Sequence, residues 1–292
     1  MATAAENVRG ASLMIGAMAA FCLNDTLMKA VTQMLPLYQA IFLRGLMMMP
    51  LLAVMLFRSG SFTLRLAAGD RVWMSLRLLG EILGTIFFMT ALQHMPLANL
   101  SAILQSLPLL VTLAATLFWG EPLGWRRSLA VGLGFIGVML IIRPGADFDR
   151  WAIFALLAVL AVLMRDMATR QISARLPTAV ISLYAAVAVT LLGAVVSPFE
   201  GWAAPGILEM LGLAGAAIAL LLGYTLIIGA MRVGDVGVVA PFRYTSLLFA
   251  LILGWLIFGS FPDALTLVGA GLVVGTGIYT FFRERRLARQ NG

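Results

Sequence analysis

Charge is what this sequence lacks most. Asp, Glu, Lys and Arg make up 11% of its 292 residues, where a soluble domain carries about 25%. Cysteine is nearly absent too: the single Cys22 excludes an internal disulfide and a cysteine metal cluster. Histidine occurs once, as His94 at a joint between apolar segments, so the 17 methionines have no imidazole company and read as adaptable core or lining. There is no G-x-x-x-x-G-K-S/T, no H-E-x-x-H and no G-x-S-x-G, which removes the signatures of a nucleotide-driven motor, a zinc peptidase and a serine hydrolase. No catalytic residue, cofactor or metal is expected. The alternating pattern of a β-barrel is also missing, which leaves a helical bundle as the spanning architecture.

What is present is apolar surface, 62% of the chain. Read between charges and Pro/Gly punctuation, it falls into ten runs near 9–30, 37–57, 72–92, 97–119, 126–143, 151–170, 178–198, 206–231, 237–258 and 264–282. Most approach the roughly 20 residues a membrane helix needs. The first is too long for the apolar core of a cleavable signal, so it is expected to remain as a helix. The net charge of +7 sits between these runs and not on an aromatic-interleaved face, which argues against a nucleic-acid partner and for the lipid bilayer.

Basic residues sort by side. With the N-terminus in the cytoplasm, Arg9, Arg58, Arg65, Arg71, Arg126, Arg127, Arg170, Arg175, Arg232, Arg283, Arg285, Arg286 and Arg289 fall inside, and Lys29, Arg143 and Arg150 outside. That positive-inside bias predicts an even number of spans with both termini cytoplasmic, as in a cell inner membrane.

An internal repeat follows. Asp25-Thr26-Leu27-Met28-Lys29, then Leu35-Pro36, returns 141 residues later as Asp166-Met167-Ala168-Thr169-Arg170, then Leu176-Pro177. In the later segments an offset of 140 pairs Pro122 with Pro262, Gly137 with Gly277 and Arg143 with Arg283. The expectation is an all-α membrane protein of ten transmembrane helices, residues 1–145 forming one five-helix repeat and 146–292 a second. Five is odd, so the two must be inverted, a design recurrent in secondary transporters. Gly80-xxx-Gly84, Gly271-xxx-Gly275 and the Gly132, Gly134, Gly137 series read as close-packing faces.

Seven charges remain within the apolar runs: Arg44, Arg77, Arg165, Arg243, Asp25, Glu81 and Asp166. Each costs a few kcal/mol at a helix centre and needs a partner or a wet path. Depth allows an Asp25–Arg44 contact and groups Arg77, Glu81, Arg165, Asp166 and Arg243 on the other half. Two readings stand side by side: structural ion pairs, with Arg77 and Glu81 satisfying each other at i+4, or a pathway lining that takes an anionic or zwitterionic group. Helix breaks add Gln105-Ser106 before Pro108 and Arg243-Tyr244-Thr245-Ser246 after Pro241, where Tyr244 could stack or hydrogen-bond. Tyr224 and Asn24 are further candidates. Trp73, Trp119, Trp125, Trp151 and Trp202 lie near segment ends, as an interfacial belt would.

With Phe118-Trp119-Gly120-Glu121-Pro122 before a Gly-rich segment ending in Arg143-Pro144-Gly145, and Gly254-Trp255-Leu256-Ile257-Phe258-Gly259 before Pro262-Asp263, the chain resembles the EamA-type members of the drug/metabolite transporter superfamily. It departs from that pattern at Ser260, where the second copy often carries Glu. Asn24-Asp25 with Lys29, then Phe42-Leu43-Arg44, looks like the subgroup with S-adenosylmethionine uptake carriers; riboflavin carriers and amino-acid exporters share the general fold. The resemblance implies a central cavity walled by segments 1, 3, 4, 6, 8 and 9, with segments 5 and 10 at a homodimer contact. The substrate-binding set is then Asp25, Arg44, Arg77, Glu81, Gln105, Arg165, Asp166, Tyr224, Arg243 and Tyr244. The expected function is secondary transport of a small polar organic metabolite by alternating access, with an intramembrane enzyme or assembly partner as the alternative.

Overall fold

The computed structural model describes residues 3–59, 66–119, 125–143, 149–173, 176 and 178–290. The joint from Gly60 to Arg65, the Gly120-Glu121-Pro122 joint, Pro144-Gly145, Arg175 and Pro177 lie outside them. Among the described residues all regular structure is helical: α1 (Ala4–Val31), α2 (Leu37–Ser59), α3 (Ala68–His94), α4 (Leu97–Leu104), α5 (Leu107–Trp119), α6 (Trp125–Ile142), α7 (Trp151–Gln171), α8 (Thr178–Glu200), α9 (Ile207–Val233), α10 (Val236–Val239), a 3-10 turn (Ala240–Tyr244), α11 (Thr245–Phe258) and α12 (Ala264–Gln290). Nine stretches among the described residues are long and apolar enough to cross a membrane, and α6 adds a shorter apolar run, Ser128–Ile142.

The two expected breaks have local causes. Between α4 and α5, Gln105 and Ser106 form a turn, and the Ser106 hydroxyl donates to the Ile103 carbonyl at 2.6 Å. Pro108 then falls in the first turn of α5, where its missing N–H has no helical acceptor to lose. Between α10 and α11, Pro241 sits inside the 3-10 turn, and the Thr245 hydroxyl donates to the Phe242 carbonyl at 2.6 Å. Helix ends are specified equally locally. Gly259, at φ 63°, ends α11 in the left-handed region while Ser260 N–H donates back to the Gly254 carbonyl. Asp263 caps α12 by accepting from Thr266 N–H at 2.9 Å.

Contacts gather the chain into two units that cut across the sequence repeat: Met1–Cys22, His94–Val159 and Leu222–Gly292 in the first, Leu23–Gln93 and Leu160–Leu221 in the second. In the second unit α2 packs along α8, with Gly45 against Thr190 and Gly193 against the Phe42 backbone. Numbers rise on one helix as they fall on the other, so the pair is antiparallel. α3 meets α7 the same way: a Cβ at Gly80 would stand 2.8 Å from the Ala161 carbonyl oxygen, and Ser173 N–H donates to Asp70 at 2.9 Å. Met74, Ile172 and Ile181 bury the apolar part of that seam.

The first unit repeats the logic. α6 runs antiparallel along α12, with Gly137 against the Gly269 backbone and Arg143 paired to Asp263. α4 lies against α11, with Leu97 near Gly254 and Gln105 bonded to Ser246. The start of α1 packs on the end of α9 through Met14, Ala17, Met18 and Ala230. Segments of equal rank in the two sequence repeats therefore pair with each other: second with second, fourth with fourth, fifth with fifth. One glycine expectation fails. Gly132, Gly271 and Gly275 have no described atom in contact range of a Cβ, whereas Gly134, Gly137, Gly269 and Gly277 do. The sequence gives their spacing on a helix but not which face of that helix meets a neighbour.

Candidate functional site

Two polar clusters occupy the second unit, each built on an aspartate of the repeated phrase. On α1, Asn24 Nδ2 donates to Asp25 Oδ1 at 2.9 Å, and Arg44 of α2 donates to Asn24 Oδ1 at 3.0 Å. Asn24 and Arg44 are buried, and Asp25 is half-buried. The amide thus couples the guanidinium to the carboxylate, using its acceptor for one and its donor for the other. The contact expected between Asp25 and Arg44 takes this relayed form. Asn24, a secondary candidate in the sequence, is its centre; its signal was adjacency to Asp25.

On α7, Arg165 donates to Asp166 Oδ1 through Nε and Nη2, both at 2.9 Å. Arg165 also reaches Glu81 of α3 at 3.6 Å, and the other oxygen of Glu81 takes Arg77 at 2.9 Å. Side-chain exposures of 13% for Arg77, 14% for Glu81, 28% for Arg165 and 33% for Asp166 put the network at a partly solvated position, not in a sealed core. Two cations face two anions, so the cluster is neutral as a whole. Arg77 Nε is buried without a described hydrogen-bond partner.

An offset of 141 residues superposes Asp25 on Asp166 and Asn24 on Arg165. In both copies the residue before the aspartate holds its carboxylate, and an arginine from a second element completes the chain. Lys29, expected at a solvated joint, is instead buried and donates to the Leu92 carbonyl at the end of α3. The carbonyl dipole at a helix C-terminus gives the ammonium a partner there.

In the first unit, Gln105 Nε2 donates to Ser246 Oγ at 2.8 Å and to the Arg243 carbonyl at 3.3 Å, fastening the α4–α5 break to the 3-10 turn. The Arg243 side chain is exposed, while Tyr244 is buried against Gly277 with its hydroxyl unpartnered among the described residues. Tyr224 stands edge-on to Phe21, ring centroids 5.4 Å apart. His94 is exposed yet stacks on Trp151 at 3.6 Å, so it is an aromatic contact as well as a solvated side chain.

Comparison with known proteins assigns the architecture. Residues 8–143 match the EamA-like transporter family, and residues 149–282 match it again. This chain belongs to the EamA-like transporter family. It is therefore a multi-pass membrane protein of a small-molecule transporter family, its sequence carrying two EamA copies. The S-adenosylmethionine uptake transporter of Rickettsia bellii is 26% identical over 65% of this chain and 66% of its own length. The pseudopaline exporter of Pseudomonas aeruginosa is 27% identical over 91% of this chain and 93% of its own. The riboflavin transporter of Rhizobium johnstonii is 28% identical over 71% and 69%. The chain thus spans about two thirds of the Rickettsia protein. A solved crystal structure superposes with a TM-score of 0.64 at 21% identity, covering 94% of this chain and 98% of that one, a likeness of fold alone.

Proposed function

We propose that this EamA protein is a secondary transporter moving a small polar organic metabolite across the inner membrane by alternating access. The two EamA copies, 1–145 and 146–292, form ten spans of inverted topology with both termini cytoplasmic. Antiparallel pairing of equal-ranked segments supports the inversion, since a two-fold axis in the membrane plane brings equivalent helices together in opposite directions. The 13-to-3 distribution of basic residues supports the orientation.

The observation that carries the reading is the matched pair of aspartate clusters. Under inversion Asp25 and Asp166 lie toward opposite faces, one held by Asn24 and Arg44, the other by Arg165 with Glu81 and Arg77. Ionic clusters within apolar spans are costly in a bilayer and fit a substrate or ion pathway. In this mechanism the Asp25 cluster closes or binds from outside and the Arg77–Glu81–Arg165–Asp166 cluster from inside, each regaining internal pairing when solute leaves. Relatives named for S-adenosylmethionine, riboflavin and pseudopaline support an organic metabolite of this size class.

Purified protein in liposomes tests it. Labelled S-adenosylmethionine, riboflavin and amino acids are offered outside; transport appears as accumulation of at least one, recovered chemically unaltered. D25N and D166N are expected to abolish concentrative uptake, and a proton-coupling aspartate leaves exchange intact when neutralised. Flux of none of these solutes, or unchanged flux in both variants, defeats the reading.

A further inference from the structure

Of the four arginines within the apolar runs, three are linked to a carboxylate among the described residues. Asp25 is linked through Asn24 to Arg44, Glu81 pairs with Arg77, and Asp166 pairs with Arg165. Arg243 is the fourth arginine of these runs. Among the described residues no carboxylate lies within ion-pair distance of it, and its side chain is exposed.

The direction it faces distinguishes a site from a lipid-facing stray. Arg243 and Ser246 are three residues apart and share a face of the turn. That face is where Gln105 docks, at 2.8 Å from Ser246 Oγ and 3.3 Å from the Arg243 carbonyl. Of the exposed apolar residues of α11, Leu248, Ile252, Trp255 and Leu256 lie well over a quarter-turn away at about 100° per residue, while Ile257, at the far end of the helix, lies on the Arg243 side. Arg243 therefore sits beside Gln105 and Ser246 at a helix break, where backbone made irregular by Pro241 is tolerated in a membrane when it is buried in protein or lines a cavity.

We propose that Arg243 anchors a carboxylate of the transported solute, with Gln105 and Ser246 as its neutral platform. A guanidinium offers a rigid planar fork matched to an oxyanion. The assignment deepens the transport reading and rests on it for the solute, while the anion site itself is testable without transport.

The experiment is thermal unfolding of the purified full chain in lipid nanodiscs at pH 7, titrated with sodium acetate, sodium chloride or inorganic phosphate at matched ionic strength. Acetate is expected to raise Tm above chloride in the wild type, as a ligand that binds the native state does. R243Q should raise the half-saturating acetate concentration by about tenfold or more, the loss of a charge-assisted pair. R243K, which keeps the charge but not the fork, should fall between and controls for misfolding of R243Q. No acetate effect in the wild type, or an equal one in R243Q, overturns the site; phosphate stabilising more than acetate overturns the carboxylate assignment. Liposome flux separates the two claims. Normal flux in R243Q sinks the anchor and leaves transport standing, whereas an Arg243-dependent acetate shift without any flux does the reverse.

Discussion

Glu81 is the single side chain on which the larger ionic cluster turns. Its carboxylate takes Arg77 at 2.9 Å with one oxygen and Arg165 at 3.6 Å with the other, joining α3 to α7. Removing one partner of a poorly solvated pair leaves the other charge uncompensated, at a cost of roughly 3 kcal/mol. E81Q is thus expected to lower stability by about that much, read as a drop in Tm of the purified protein. The double variant R77Q/E81Q should recover most of it, because the guanidinium stranded on the same helix is removed as well. Arg165 keeps Asp166 in both variants. An E81Q as stable as the wild type would mean that solvent, not Glu81, carries these charges. The pairing of Arg77 with Glu81 was legible in the i+4 spacing. That Asn24 relays Arg44 to Asp25 was not, because it depends on which face of α2 turns toward α1.

The joint between α6 and α12 is specified at the level of elements. α6 ends at Ile142, and Arg143 follows in the left-handed region at φ 52°, a position usually given to glycine. Its guanidinium pairs with Asp263, which at the same time caps α12. Thr266 N–H and then Arg143 hold the Asp263 carboxyl below its ordinary value of 3.8. A carboxyl lowered on folding stabilises the folded state above the unfolded value, and the contribution fades as pH falls through the folded one. D263N keeps a capping side chain but loses the charge. It should unfold at lower temperature than the wild type at pH 7, and the two curves should converge as pH drops below about 4. A gap that persists at low pH would assign the effect to the cap geometry and not to the carboxylate. Most element boundaries followed from the sequence, since Pro36, Pro96, Pro241 and Gly259 punctuate it. Helical contacts did not follow so well: Gly271 and Gly275 have packing-motif spacing but meet no described atom, while Gly269, two residues before Gly271 and so on the opposite side of the helix, carries the approach to Gly137.

At the scale of the whole molecule the repeat makes a demand that no single helix can. The compact units mix segments from both copies, so the duplicated sequence folds by pairing each copy's helices with the other's. The offset of 141 residues was readable in the chain, and the odd count of five segments expected per copy is what leads to the expectation of inversion. Which helices meet across the copies was not readable, because periodicity marks an apolar face without naming its partner. Inversion can be checked directly on a background in which Cys22, the one native cysteine, is replaced by serine. R9C and Q33C mark the two ends of α1, and R150C and R170C the two ends of α7; all four positions are exposed. If the copies are inverted, a membrane-impermeant maleimide added to intact cells should label Q33C and R150C, while R9C and R170C react after the membrane is opened. Those labelled from outside then lie at the end of the first helix in one copy and at the start of it in the other. Labelling of Q33C together with R170C would mean that both copies insert in the same sense, and Asp25 and Asp166 would then sit toward one face, where they could not alternate.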